Sequence, residues 1–264
     1  MAKLRYEEFL DFAVATAREA GAIQLAAFRS GDLGIETKSN LYDVVTRVDK
    51  ECEALIARRI AERFPEHALL GEEGGERGAA GSRWLWVVDP LDGTTNYSQG
   101  LPVFTVSIAL QLDGETIVGV VYAPYLDELY TAVKGGGAWL AGRGREPRQI
   151  RVPRKESLAA AVLATGFPYD KDVNPDNNCD NVARMLPRIR GLRRMGSAAY
   201  DLCAVAAGWI DGFWELALHV WDIRAGELIV TEAGGVVERL RPDRGISILA
   251  GTPELVAEMR RYVR

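Results

Sequence analysis

The run Trp86-Val87-Val88-Asp89-Pro90-Leu91-Asp92-Gly93-Thr94-Thr95-Asn96-Tyr97 constrains the chain most, because it ends an apolar strand on two carboxylates three residues apart. A glycine and two hydroxyls follow at once. Hard cations such as Mg²⁺ take carboxylate, carbonyl and water oxygens and share the substrate's phosphate, and glycine-flanked backbone N–H groups suit that phosphate. Asp-Pro and Asp-Gly are also common turn signals, so the run alone does not choose between a turn and a site.

The surrounding acids sharpen the question. Gly71-Glu72-Glu73-Gly74-Gly75 puts a pair of acids in a glycine-rich loop, and Trp221-Asp222 puts an aspartate where a long helical pattern opens. With Asp43 and Asp49 they lie at expected strand ends, loops and helix starts, where a scaffold presents functional groups. An Asp before a helical run is also the ordinary N-cap, and Glu72 and Glu73 also read as solvated loop charges. A two-metal site needs several oxygens around ions about 3.5–4 Å apart, which Asp89 and Asp92 can supply together.

Other chemistries lack their signatures. His67 and His219 have no HExxH or Cys/His spacing, and no GxSxG occurs. His219, beside Trp221, reads as a structural residue, and Trp209, Phe213, Trp214 and Trp221 read as core. The net charge of −5 announces no nucleic-acid surface. Three cysteines without CxxC spacing, and no signal-peptide or membrane-span pattern, lead to the expectation of a cytoplasmic protein.

Periodicity predicts helices at 5–29 and 49–63, with a strand or hairpin over 35–48 between them. Strands follow at 84–88, 103–112, 116–122 and 128–133, with Asp113-Gly114 as a hairpin turn and 135–137 and 141–148 as turns of the same sheet. Beyond 150, strands at 160–165, 192–195, 212–218 and 246–250 alternate with helices at 177–186, 198–207, 222–233 and the C-terminus. The expected fold class is α+β in mixed layers, with an N-terminal half at 1–150 and a C-terminal half at 151–264 sharing a broad interface.

GEE at 71–73, WVVDPLDGTTNY at 86–97 and WDIRAGELIVTEAGG at 221–235 together resemble the inositol monophosphatase family of Mg²⁺-dependent, lithium-sensitive sugar phosphatases. Lys38, the segment Asp43 to Thr46, Gly196 to Ala199 and Phe213 to Glu215 extend the resemblance over nearly the whole chain. It implies an α-β-α-β-α layered sandwich and a homodimer. It also implies two or three Mg²⁺ ions: Glu72, Asp89 and the Leu91 carbonyl on the first, Asp89, Asp92 and Asp222 on the second, and a weaker third near Glu72. By the same resemblance, Thr94, with Glu72 and Asp49, orients the attacking water. Gly93 and Thr94 amides receive the phosphate, and Ala198, Glu215 and Asp222 meet the hydroxyls of a small phosphorylated polyol or sugar.

Nucleotide 3′-phosphatases of the superfamily carry lysine where this chain has Thr95, which disfavours phosphoadenosine phosphate. Arg193 and Arg194 read equally as a second-phosphate contact, as in relatives that also cleave fructose 1,6-bisphosphate, or as a surface pair. Some bacterial relatives also serve transcription antitermination complexes; the composition lends that role no support.

Overall fold

A computed structural model describes residues 6–154, 157–241 and 243–264. Helix α1 (Glu7–Ala27) buries Ala13, Ala17 and Ala20, whose small side chains let α2 (Arg47–Arg63) lie close alongside. The first residue of the expected helix at 5–29 lies outside the described residues. Between the helices, the expected hairpin is reduced to two-residue strands β1 (Glu36–Thr37) and β2 (Val44–Val45).

The first sheet contains β3 (Ala68–Gly71), β4 (Gly75–Gly78), β5 (Trp84–Asp92), β6 (Thr105–Leu112), β7 (Glu115–Ala123), β8 (Glu128–Val133), β9 (Gly137–Gly142) and β10 (Arg145–Ile150). A short helix, α3 (Thr94–Ser98), lies between β5 and β6. The sheet order is β10-β9-β8-β7-β6-β5-β3-β4, with β3 and β5 parallel and every other pair antiparallel.

Of the two stretches expected as turns, 135–137 and 141–148, residues 135–136 and 143–144 are turns, whereas residue 137, residues 141–142 and residues 145–148 belong to β9 and β10. The ladder needs only main-chain groups, and the exposed edge strand β10 tolerates arginine and proline that a central strand would exclude.

The second sheet contains β11 (Val162–Thr165), β12 (Gly191–Arg193), β13 (Gly212–Leu218), β14 (Val236–Arg241) and β15 (Ile246–Gly251), in the order β12-β11-β13-β15-β14. Its helices are α4 (Cys179–Met185), α5 (Ala198–Ala206), α6 (Val220–Glu232) and α7 (Pro253–Met259). Helices α1 and α2 cover the outer face of the first sheet, α5 and α6 pack between the two sheets, and α4 and α7 cover the far face of the second. This is the five-layer α-β-α-β-α order.

The layer between the sheets joins them through one core. One cluster joins Val121, Tyr130 and Ala132 of the first sheet to Phe213, Ile248 and Ala250 of the second through Leu202, Ile223 and Ile229 of α5 and α6. Phe213 is fully buried there. Phe213→Ala is therefore expected to cost about 3–5 kcal/mol in urea unfolding. A loss near zero would contradict a core shared by both sheets.

Candidate active site

Side chains of a regular strand alternate between faces, so residues 89 and 92 of β5 would point to opposite sides. A one-residue bulge reverses this: Asp89 pairs with Ser107 but Asp92 with Thr105, three residues against two. Packing on either side records the switch. Trp86 and Val88 face the α1/α2 core while Val87 faces α5 and α6, yet odd-numbered Leu91 joins the α1/α2 core. Asp89 and Asp92 consequently face the same cavity, of about 270 Å³, and the Asp89 carboxylate accepts the Leu91 N–H at 3.0 Å.

Helix caps bring in the other acids. Thr46 caps α2, and its capping-box partner at the third helical position is Asp49, whose Oδ2 accepts the Thr46 N–H at 2.9 Å. Its other oxygen, Oδ1, accepts from Thr94 Oγ1 at 2.9 Å, and the same hydroxyl lies 3.0 Å from the Leu91 carbonyl. Gly93, at φ +99°, turns the chain from β5 into α3 so closely that a Cβ would lie 3.0 Å from Val103 O and 3.1 Å from Gly196 O.

The alternative N-cap reading of Asp222 does not hold, and the helix expected from 222 starts two residues earlier. Helix α6 begins at Val220, His219 is the cap, and Asp222 stands at the third position, accepting the His219 N–H at 2.7 Å. Across the cavity, Asp92 Oδ2 accepts from Ser197 Oγ and from the Ala199 N–H, both at 2.7 Å, at the start of α5. Asn96 reinforces the same junction, donating to Val103 O at 2.8 Å and Met195 O at 2.7 Å.

Burial raises every acid here. It pushes Glu72 and Glu215 up to about 7 and Asp49 up to about 6, and raises Asp89, Asp92 and Asp222 above the usual aspartate range. Mutual repulsion adds to burial for Asp89 and Asp222, each facing both Glu72 and Asp92. Lys38 offsets part of this charge, with Nζ 2.7 Å from Glu72 Oε1 and also bonded to Glu73. Burial lowers the lysine pKa, but the two glutamates outweigh it and the net shift is upward.

An oxygen-only set of mutually repelling acids fits a hard divalent cation, which would relieve the repulsion. Among the described residues no three His, Cys, Asp or Glu side chains converge into a ready-made cage. The acids instead face one cavity from separate walls, as suits an ion that keeps waters and shares a phosphate.

Of the residues singled out in the sequence, Glu72, Asp89, Leu91, Asp92, Gly93, Thr94, Ala198, Glu215 and Asp222 all line this cavity, and Asp49 joins it through Thr94. Arg194 lines it too, whereas Arg193 is exposed and bonds its own strand at Leu192 O. Asp43 is outside the lining, where it accepts from Ser39 Oγ at 2.7 Å, and Glu73 is held by Lys38.

His219 stacks on Trp221 at 4.9 Å and both line the cavity; Trp221 is partly buried, packed against the core between the sheets as well as facing the cavity. Trp209, at 46% exposed, is not core, because it stands in the turn after α5; Phe213 and Trp214 are fully buried as expected. Sequence reasoning gave no role to Ser197, whose only local signal is a serine before a helical run, or to Tyr169. The tyrosine is half exposed, yet burial and the nearby Asp222, Glu72 and Asp92 raise its hydroxyl's pKa.

Among the described residues no helix is long and apolar enough to cross a membrane. The Nus factor SuhB of Escherichia coli K12 is 39% identical over 259 residues, covering 97% of this chain and 95% of that protein. The structure of extragenic suppressor protein suhB from Bartonella henselae superposes with a TM-score of 0.88 at 34% identity, over 97% of this chain and 98% of that one. That of inositol monophosphatase from Anabaena gives 0.84 at 36% identity, over 98% and 96%. Residues 5–261 match the inositol monophosphatase family. With the five-layer fold and the acid-lined cavity already in place, the chain belongs to the inositol monophosphatase family, a family of phosphatases.

Proposed function

We propose that this protein is a Mg²⁺-dependent phosphomonoesterase that hydrolyses inositol monophosphate or a related small sugar phosphate. The observation that carries the reading is the convergence of Glu72, Asp89, Asp92 and Asp222, all raised in pKa by burial, on one cavity beside the Gly93–Thr94 turn. In this reading, Glu72, Asp89, Asp92, Asp222 and the Leu91 carbonyl hold two Mg²⁺ ions, with a third, weaker one near Glu72. When bound, Mg²⁺ supplies positive charge to the phosphoryl oxygens and acidifies water.

The chain's own groups do the remaining work. Thr94 Oγ donates toward Asp49 and keeps a lone pair free for the attacking water's proton, so the pair acts as a positioned acceptor. Backbone N–H groups at Gly93 and Thr94, which lack intrahelical acceptors, face the phosphate. Glu215 and Asp222 accept hydrogen bonds from polyol hydroxyls, and the Ala198 backbone borders them. The test is phosphate release, with Mg²⁺, from inositol monophosphate, fructose 1,6-bisphosphate, glycerol phosphate and NADP(H). Release from the first that lithium suppresses is expected; release from none overturns the reading.

Arg194 favours a second substrate reading, a sugar bisphosphate, because its guanidinium lines the cavity beside Glu215 and Asp92. A charge-assisted contact of about 1.5–3 kcal/mol gives the expected effect of Arg194→Ala: KM for fructose 1,6-bisphosphate rises about 10- to 100-fold. KM for inositol monophosphate should change less; equal changes would remove the bisphosphate reading. The relatives named Nus factor suggest a binding role besides catalysis. Partners captured equally by the unaltered protein and by Asp92→Asn would support it.

A further inference from the structure

We infer that Glu53, which does not line the cavity, positions Glu72 for cation binding by holding the turn that carries it. The inference rests on the metal reading of Glu72 proposed above. Glu53 lies on α2 and is only 1% exposed, and its Oε2 accepts the Glu73 N–H at 2.7 Å. Its other oxygen pairs with Arg77, whose Nε lies 3.4 Å from Gly74 O. One carboxylate therefore grips the β3–β4 turn at the residue after Glu72 and, through Arg77, at the residue beyond that. On the near side, the Glu72 N–H is fixed to Val88 O at 3.2 Å.

Sequence and geometry agree on how close this grip is. A Cβ on Gly71 would stand 2.5 Å from Glu53 Oε2 and 2.6 Å from Cδ, so only glycine at 71 lets the carboxylate reach the turn. A buried carboxylate is costly unless its hydrogen bonds are made, and here one goes to the main chain beside Glu72 and the other to Arg77, which itself reaches the turn. Helix α2 thus reaches the cavity twice, at Asp49 through Thr94 and at Glu53 through the turn.

The test is calorimetric titration of the full-length, substrate-free protein with Mg²⁺, beside phosphate-release assays over a range of Mg²⁺ concentrations. Groups that orient metal ligands typically contribute about tenfold or more in metal affinity. Glu53→Leu should therefore raise the Mg²⁺ Kd and the half-activating Mg²⁺ concentration about tenfold, with kcat at saturating Mg²⁺ changed less than about threefold. Glu53→Gln keeps an oxygen for the Glu73 N–H and should stay within about threefold of the unaltered protein.

A folded Glu53→Leu variant with unchanged Mg²⁺ affinity overturns the inference, as does a Glu53→Gln variant as weak as Glu53→Leu. Should Glu53→Leu not fold, Gly71→Ala pushes a methyl group into the same contact. It must then weaken Mg²⁺ similarly, and unchanged affinity in that variant is equally fatal. An unaltered protein that binds no Mg²⁺ refutes the metal reading itself, and the inference with it.

Discussion

Asp92→Asn is expected to lower phosphate release at least about 10²- to 10³-fold, the scale on which a single preorganised electrostatic group acts, while leaving the fold intact. The asymmetry follows from its two oxygens. Oδ2 is committed to Ser197 Oγ and the Ala199 N–H, and an asparagine carbonyl can accept both bonds, so the junction between β5 and α5 survives. The remaining position becomes an NH₂ group, a donor where the proposed Mg²⁺ would need an oxygen acceptor. In metal-free buffer the variant should melt no lower than the unaltered protein, because it removes one charge from a set that burial already disfavours. Steady-state phosphate release and thermal unfolding test both statements. A variant keeping more than a tenth of the turnover would remove Asp92 from the reaction.

Mg²⁺ itself should stabilise the protein, and a chelator should abolish activity. A ligand that binds only the folded chain at a hundred times its Kd adds about 2.7 kcal/mol, which for a chain of this size corresponds to about 5–10 °C in Tm. The increase should disappear in Asp89→Asn, because Asp89 stands against Glu72, Asp92 and Asp222 at once. Calorimetric scans with and without Mg²⁺ measure it. No Mg²⁺-dependent shift in the unaltered protein, together with activity retained in chelator, would replace the metal reading with another chemistry.

Much of the fold is legible because its signals are local. The strand at 212–218 matches β13, and the strand at 128–133 matches β8. Both are short β-rich runs with clear breaks on either side. The less legible elements depend on partners far along the chain. Strand β3 is only four residues long and is fixed by parallel pairing with β5, and β4 is formed from Gly75-Glu76-Arg77-Gly78, which has no strand propensity of its own. Strand β14, interrupted by charges at Glu238, Arg239 and Arg241, owes its form to β15.

The candidate site shows the same division. Its acids could be named from their motifs, but their common orientation could not, since the bulge at 89–92 is a property of the β5–β6 register. Nor could the start of α6 be placed: the pattern begins at Asp222, where a cap is the competing reading, and the real cap, His219, is a poor one by composition. Ser197 and Glu53 were invisible for a related reason. Their value lies in bonds spanning 105 and 20 residues, and no local pattern encodes those.

The bond from Asp92 to the start of α5 also has a temporal consequence. The cavity's acids come from residues 72 to 222, and the N–H and hydroxyl that orient Asp92 arrive more than a hundred residues after it in synthesis. A growing chain that has already paired β5 with β6 still has neither Glu215 nor Asp222 and no wall from α5 and α6. The cavity is therefore complete only once the chain extends through the start of α6. A fragment ending before α6 would be inert, however well its first sheet had folded.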